Sequence, residues 1–380
     1  MAKHGVYVSE AATSLNSPTQ ASSGIPFVVG TAPLSGTATA GTPVLCRTYD
    51  EAEDAIGYDD DWAKNTLCEV MYSHFKLFSM QPVIFLPLAT GAEASDVAAA
   101  VEKVDLCMGK YGVIPDLILA PGFSETTTVA AAMAAKAAAI NGMFKAKAIV
   151  DITAASATAA VTAKTSGSFG ADSIVCWPMC KSGDKTFHLS TLVAGRIAAT
   201  DTDNEGIPYE SPSNKALPID SLVNASGGEI ILPKGDADTL NAAGIVTALN
   251  FMARFVLWGN YTGAHPTEKD PKDILIPVSR MFGWVHNTLQ QTFWENIDLP
   301  MNRRLLDSVL DTCNIWLNGL VGSGYLLGAR ATMLDSENPD ANLMAGIVKI
   351  HLYITPPAPA QEIDFVLEYD ADYVSAALSS

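Results

Sequence analysis

The two ends of this chain each read as a β-strand with no neighbour in sequence to pair with. After the break at Pro356, Pro357, Ala358 and Pro359, the stretch 362–370 sets Ile363, Phe365, Leu367 and Tyr369 on one face. Glu362, Asp364, Val366, Glu368 and Asp370 fall on the other, which is the period-two alternation of a strand. At the opposite end Gly5-Val6-Tyr7-Val8-Ser9-Glu10 is a second short strand, cut off from the body by residues 11–24, a Ser/Thr/Ala stretch too polar to build a core. A lone strand leaves backbone N–H and C=O groups unpaired and is unstable until it joins a sheet. Strands on flexible ends are suited to donation to neighbours, so the ends alone point to a polymer.

Composition narrows the partners. At 380 residues, 48% apolar and 17% charged, the chain has the make-up of a globular protein long enough for two domains. Its 41 acidic against 23 basic residues, a formal charge of −18, argue against broad contact with nucleic acid or anionic lipid, both of which need a positive surface. Cys46, Cys68, Cys107, Cys176, Cys180 and Cys313 lie scattered in apolar stretches without C-x-x-C pairs, as reduced core thiols do in a protein made in a cytoplasm. Met1-Ala2-Lys3-His4-Gly5 carries no apolar signal segment, and the longest apolar run, 244–259, contains Arg254. No run reaches the roughly 18 to 20 residues of a membrane span, so neither a signal peptide nor membrane insertion is expected.

Along the body, strands and helices alternate from residue 25 to about 263. Apolar runs at 26–30, 83–88, 117–120, 148–152 and 174–177 predict strands, and 49–55, 62–78, 94–108 and 127–139 predict helices. This is an α/β pattern. The stretch 193–235 is rich in Pro, Asn, Ser and Gly and reads as long ordered loops on the sheet. After His265-Pro266 come two strong helices. The first, 279–295, spaces Met281, Val285, Leu289 and Phe293 by four; the second starts at a capping Asn302 and carries Leu305, Leu306, Val309, Leu310, Cys313, Trp316, Leu317 and Leu320 as one stripe before Gly322 and Gly324. Residues 346–355 then alternate Val348, Ile350, Leu352 and Ile354 with Lys349, His351 and Tyr353, a strand just upstream of the terminal one.

Each catalytic template fails at a definite place. Gly322-Ser323-Gly324 lacks the spacing of a nucleophile elbow and lies past a helix, so it reads as a helix stop. Gly322, Gly324 and Gly328 are one residue too long for a dinucleotide loop, and no phosphate-cradling P-loop occurs. Residues 201–206 begin like a calcium loop, but position twelve is Pro212 rather than a bidentate Glu. Cys176, Cys180 and His188 match no common zinc spacing and read as core thiols beside a surface histidine. His4, His74, His265, His286 and His351 are dispersed. No catalytic residue, metal or cofactor is expected, and the chain is not read as an enzyme. Arg303 and Arg304 stand out because they begin a helix, where cations are slightly unfavourable; they call for an acidic partner, either Asp307 one turn on or a group on another chain.

Together these segments resemble the tail sheath proteins of contractile phage tails and related phage-tail-like contractile particles. Gly5 to Glu10, followed by Gly24-Ile25-Pro26-Phe27-Val28-Val29-Gly30-Thr31-Ala32, is similar to the family's arm and first core strand. Val193-Ala194-Gly195-Arg196-Ile197-Ala198-Ala199-Thr200-Asp201, then Gly206 and Ser211-Pro212-Ser213-Asn214-Lys215, resembles its "AGxxARTD…G…APAN" run. Trp258-Gly259-Asn260-Tyr261-Thr262 resembles "WGARTL", and Arg280, Trp294-Glu295-Asn296-Ile297-Asp298 and the helix from Asn302 resemble the "RR…FEPND" segment. Ala199 stands where the family usually has Arg, and Ser211 and Ser213 stand for alanines.

The resemblance implies an α/β core domain, a mixed sheet with flanking helices, over residues 25–263. To it are added an α+β C-terminal domain over 264–360 and strand arms over 1–24 and 361–380. It implies stacked hexameric rings around a tail tube, with strands exchanged between subunits through Val6, Tyr7, Val8, Val348, Ile350, Leu352, Ile363, Phe365 and Leu367. Arg303 and Arg304 are the implied tube-facing positions. Other copies of the chain, the tube protein, the baseplate and the tail terminator are the implied partners, in a virion tail or a headless bacteriocin-like or injection particle. With no nucleotide site, the work of contraction must come from two arrangements of the same subunits, the extended one trapped behind a barrier. Two alternatives remain: a hydrolase built on the α/β domain, which needs an ordered Asp, His and Ser within hydrogen-bond reach since fold alone implies no activity, and a different binding module such as a capsid or adhesion protein, told apart by whether hollow striated tubes form.

Overall fold

The computed structural model describes residues 18–378. Val6, Tyr7 and Val8 lie outside the described residues. Strands run in the order β1 (Pro26–Ala32), β2 (Val44–Cys46), β3 (Val83–Ala89), β4 (Leu117–Leu119), β5 (Lys147–Asp151), β6 (Ser173–Cys176) and β7 (Met179–Ser182). They continue with β8 (Lys185–Phe187), β9 (Ser221–Val223), β10 (Glu229–Ile230), β11 (Ile245–Phe251), β12 (Arg254–Trp258), β13 (Gly328–Thr332) and β14 (His351–Thr355). The helices are α1 (Tyr49–Ile56), α2 (Thr66–Met71), α3 (Ala94–Val101), α4 (Leu106–Tyr111), α5 (Thr127–Ala138), α6 (Ala157–Ser166) and α7 (Leu189–Asp203). Then come α8 (Lys234–Ala242), α9 (Pro271–Ile274), α10 (Ile276–Phe293), α11 (Arg303–Gly322), α12 (Asp340–Met344) and α13 (Ala371–Leu378).

Eight strands make one mixed sheet in the order β12-β11-β6-β5-β4-β1-β3-β2, parallel from β11 to β3 and antiparallel at both margins. Successive side chains enter opposite layers. Phe27 and Val29 join Ile84, Leu86, Val97, Val129 and Met133 on one face, while Val28 joins Phe85, Leu119, Leu67, Leu192 and Ile197 on the other. Strands buried on both faces read as continuous apolar runs, which is why five of them are visible in the sequence. A mixed α/β body with a large sheet and flanking helices is therefore present.

Three local expectations change. The single helix over 62–78 is instead α2 followed by a π-helical turn, Tyr72–Leu77, because residues up to Asn65 are held in turns such as Asn65 N–H to the Asp61 carbonyl. Overlapping the expected loop region 193–235, α7 is a 15-residue helix with 11 residues buried, polar Ser190, Thr191, Thr200 and Asp201 among them; a helix buried on most sides shows no apolar stripe to detect. The strand expected over 346–355 is formed only at β14.

The C-terminal portion packs α10, α11 and the β13–β14 ladder around Met281, Trp284, Cys313, Trp316, Leu317 and Leu320, with Ala21 and Ile207 from the other part of the chain in the same cluster. As expected, Asn302 caps α11 by accepting the Leu305 N–H at 3.0 Å. The chain entering β1 is strapped along α10: the N–H groups of Thr19 and Ala21 donate to Thr292 Oγ1 and Thr288 Oγ1, both at 3.1 Å, and Trp284 Nε1 donates to the Ala21 carbonyl at 2.9 Å.

Candidate functional site

The short ladder of β13 and β14 carries a division of faces that follows from its pairing. Ala329 lies opposite Ile354 and Ala331 opposite Leu352, facing the α10–α11 core, while Arg330 lies opposite Tyr353 and Thr332 opposite His351 on the outer face. One long edge is closed. Asn314 of α11 accepts the Ala331 N–H at 2.9 Å and donates to the Ala331 carbonyl at 3.0 Å, as a neighbouring strand would. Because antiparallel residues alternate between facing the partner and facing away, the same register turns the backbone groups of Ile350, Leu352 and Ile354 outward from β14. None of these has a backbone partner outside the ladder among the described residues. Beside that edge lies a groove of about 440 Å³, where Val285, Leu289, Leu352 and Ile354 share the lining with charged groups such as Lys145, Lys147 and Arg280.

Beyond Gln361 the chain leaves the body. Residues 362–370 form no strand and are exposed throughout, with Phe365 85% and Leu367 95% accessible, beside Ile363 and Tyr369. The strand expected there is not formed among the described residues, and α13 follows it where more strand arm was expected. Val348 and Ile350 precede β14, and Leu352 lies within it. Arg303 pairs with Asp307 at 2.8 Å on an exposed face; Arg304, one residue on, is exposed and makes no ion pair among the described residues.

A second concave region lies where parallel α/β sheets place ligands, outside the carboxyl ends of the strands. This cleft of about 1030 Å³ is lined by Thr31, Gly122, Asp151, Cys176, Glu69 and His188. His188 is not at the surface as expected: its side chain is 14% exposed, with Nδ1 2.8 Å from Glu69 and Nε2 3.4 Å from Glu125. Burial alone would lower its pKa, but the Glu69 and Glu125 carboxylates hold the imidazolium well above its usual value. Asp151 accepts the Ser190 N–H at 2.9 Å and the Ser190 hydroxyl, and burial pushes its carboxyl up to about 7. Asp151 and His188 thus line one cleft with Ser190 buried behind Asp151, yet the wiring is not a relay: both ring nitrogens go to glutamates and Ser190 Oγ goes to Asp151. Sequence reading missed this cluster; the one available signal was an acid, Asp151, closing an apolar strand. Among the described residues no group of three or more His, Cys, Asp and Glu side chains is placed to hold a metal ion. Asp201, first residue of the calcium-like stretch, is buried in α7.

The resembling blocks prove to be partners of one another. Arg280 binds Asp201 and Asp116; Ser211 is hydrogen-bonded to Asn260, and Ser213 Oγ accepts the Gly259 N–H at 3.0 Å. Asn214, Lys215 and Leu217 exchange backbone hydrogen bonds with Leu257 and Phe255, covering the outer edge of β12 against stray pairing. Gly195 passes so close to Phe78 that a Cβ there would sit 2.3 Å from the ring.

This mixed α/β fold, a large mixed sheet with flanking helices, matches that of solved contractile-sheath structures. Over 97% of its length the chain matches the helical sheath of the anti-feeding prophage in its contracted state with a TM-score of 0.74 at 19% identity, covering all of that chain (100%). Over 98% it matches the sheath complex of the extracellular contractile injection system PVC in its contracted state, with a TM-score of 0.71 at 17% identity and 99% of that chain covered. In sequence it is 25% identical over 304 residues to the tail sheath protein of Burkholderia phage BcepMu, an alignment covering 75% of this chain and 63% of that protein. The likeness to tail sheath proteins therefore holds in sequence and in fold. No protein-family model matches the chain. Among the described residues no helix is long and apolar enough to cross a membrane.

Proposed function

We propose that this chain is the structural subunit of a contractile tail sheath, polymerising as stacked hexameric rings around a tail tube by exchange of terminal β-strands. One observation carries the reading: an alternating segment, 362–370, exposes its apolar face and joins no ladder among the described residues, while β14 leaves an edge open beside a groove of mixed polar and apolar lining. Burying three or four such side chains on a neighbour favours each joint by roughly 1.5–3 kcal/mol per side chain before ordering costs. The names of its relatives support the same role. In this reading residues 25–263 and 264–360 are the two sheath domains and 1–24 and 361–380 the arms.

Contraction is then movement of whole subunits between two packings that differ in free energy, released from a kinetic trap by the baseplate. In this reading the linkers 11–24 and 355–361 act as hinges, Thr19 and Ala21 of the first being hydrogen-bonded to α10. The relative named above is a phage protein and the two structures named above are injection-system sheaths; a headless particle is the second form the reading takes, told apart by a micrograph showing a head or none. The test of the function itself is deletion of Met1 to Glu10. The truncated chain should remain a folded monomer that forms no tubes by electron microscopy, and normal striated tubes would overturn the reading.

A further inference from the structure

Resting on the polymer reading above, we propose that the tip of the β11–β12 hairpin docks by its side chains on α1 of a second copy of this chain, at the opposite margin of the large sheet. The tip is built against local preference. Phe251 pairs with Arg254, so Met252 and Ala253 are the two central residues of the turn, with φ of 52° and 61°. A two-residue hairpin turn with both central φ positive is ordinarily filled by Asn-Gly or Asp-Gly, because a Cβ crowds the backbone there. A strained turn of this kind persists where something other than local stability selects its residues. Met252 is 86% and Phe251 58% exposed, and Asn250, Ala253 and Arg254 are exposed with them. Leu249, two residues back on the face of Phe251, shares a buried cluster with Ala237 and Leu232; Phe251 carries that apolar row past the end of its cover. Arg254 makes no ion pair among the described residues, in a chain of formal charge −18.

The outer edge of β12 is already covered by Asn214, Lys215 and Leu217, so the tip meets a partner through side chains rather than as an added strand. β12 and β2 are the two margins of the eight-stranded sheet, and α1 packs beside β2. Asp50, Glu51, Glu53 and Asp54 of α1 are all exposed and make no ion pair among the described residues. Arg47 before the helix and Lys76, over the Tyr49 ring at 3.6 Å, offset two of the four. The half-buried rings of Tyr49, the first residue of α1, and Tyr58 lie 5.8 Å apart. An unpaired cation flanked by Phe and Met thus meets, on a second copy, a surplus of acid flanked by aromatic rings, a match in charge and in thioether-to-ring contact. A contact between opposite margins is head-to-tail, and its repetition closes a ring or winds a helix, the form of assembly the polymer reading requires.

The test uses the full chain and reads the subunit concentration at which tubes appear, by light scattering and electron microscopy, beside the melting temperature of the dilute subunit by circular dichroism. Met252→Asn with Ala253→Gly relaxes the turn and removes the thioether. It should melt higher than wild type, yet need a subunit concentration about tenfold higher to assemble. A turn with no role beyond its own fold would lose nothing in assembly, so tubes at the wild-type concentration overturn the contact. Arg254→Glu should also raise the threshold, as should Glu53→Lys with Asp54→Lys, in the last turn of α1 where cations are favoured. These three charge changes in one chain should return the threshold toward the wild-type level, and no return overturns the pairing with α1. The reading beneath fails separately. If the wild-type chain forms no tubes, the polymer reading falls and the contact with it; if it forms tubes and every variant assembles as it does, the reading stands and this contact falls.

Discussion

Arg280 of α10 and Asp201 of α7 form a buried two-pronged ion pair, with Nη1 2.9 Å from Oδ1 and Nη2 bonded to Oδ2. Asp116, whose Oδ1 also accepts the Ile25 N–H entering β1 at 2.8 Å, takes the same guanidinium at 2.7 Å. Burial opposes the charge on Arg280, but the two carboxylates hold its pKa above the usual value. One side chain thus ties α7, the approach to β4 and the start of β1 to the helix that carries the C-terminal core.

Removing one member leaves an uncompensated charge in a dry site, which costs more than the pair contributes. Asp201→Ala should lower stability by about 3–5 kcal/mol, read as a fall in the midpoint of urea unfolding. Arg280→Met combined with Asp201→Leu should cost less than Asp201→Ala alone.

Gly195 is required by proximity rather than by a turn. Ala at this position places a methyl carbon 2.3 Å from Phe78 Cδ2, so Gly195→Ala should destabilise the chain by about 1–3 kcal/mol. Phe78→Leu in the same chain should recover part of that loss, measured as a double-mutant cycle in thermal melts.

His74 is fully buried, and neither ring nitrogen has a hydrogen-bond partner among the described residues. Burial lowers its pKa from 6.5 to about 4. The unfolded chain therefore takes up a proton on acidification before the folded chain does. The stabilising contribution is complete above pH 6.5, declines as the pH falls toward 4, and amounts to about 3 kcal/mol. Unfolding of His74→Leu should be less sensitive to pH across this window than unfolding of the wild type; identical slopes would show that His74 is not held neutral.

The exposed Arg303–Asp307 pair supports α11 by only roughly 0.2–0.5 kcal/mol, so Arg303→Glu with Arg304→Glu should leave the fold and sheath-only polymers unchanged. Co-assembly with the tube protein should weaken if this end of α11 faces it. Unaltered co-sedimentation of sheath and tube would remove both residues from the contact.

Patterns that depend on near neighbours are legible in the order of residues alone. Phe27 to Val29, Ile84 to Leu86 and Leu117 to Leu119 are buried on both faces and show as unbroken apolar runs. Asn302 announces the start of α11, and the alternation over 362–370 marks a segment that joins no ladder among the described residues. These signals are local because a strand or a one-sided helix repeats its burial every two to four residues. Where burial is uniform the signal fails, as in α7, whose 11 buried residues leave no stripe.

Long-range polar partners had no such signature. The sequence by itself determined five strands of the large sheet, which helix would be capped, and that the tail end carries acids opposite apolar residues. Only the tertiary structure decided that Asp201 meets Arg280 across 79 residues, that His188 lies between two glutamates, and that Asn314 closes one edge of the ladder while β14 keeps the other. The reason is physical: a periodic pattern reports how each residue sits relative to its own segment. The partner of a buried charge or an edge amide depends on which segments the crossovers bring side by side.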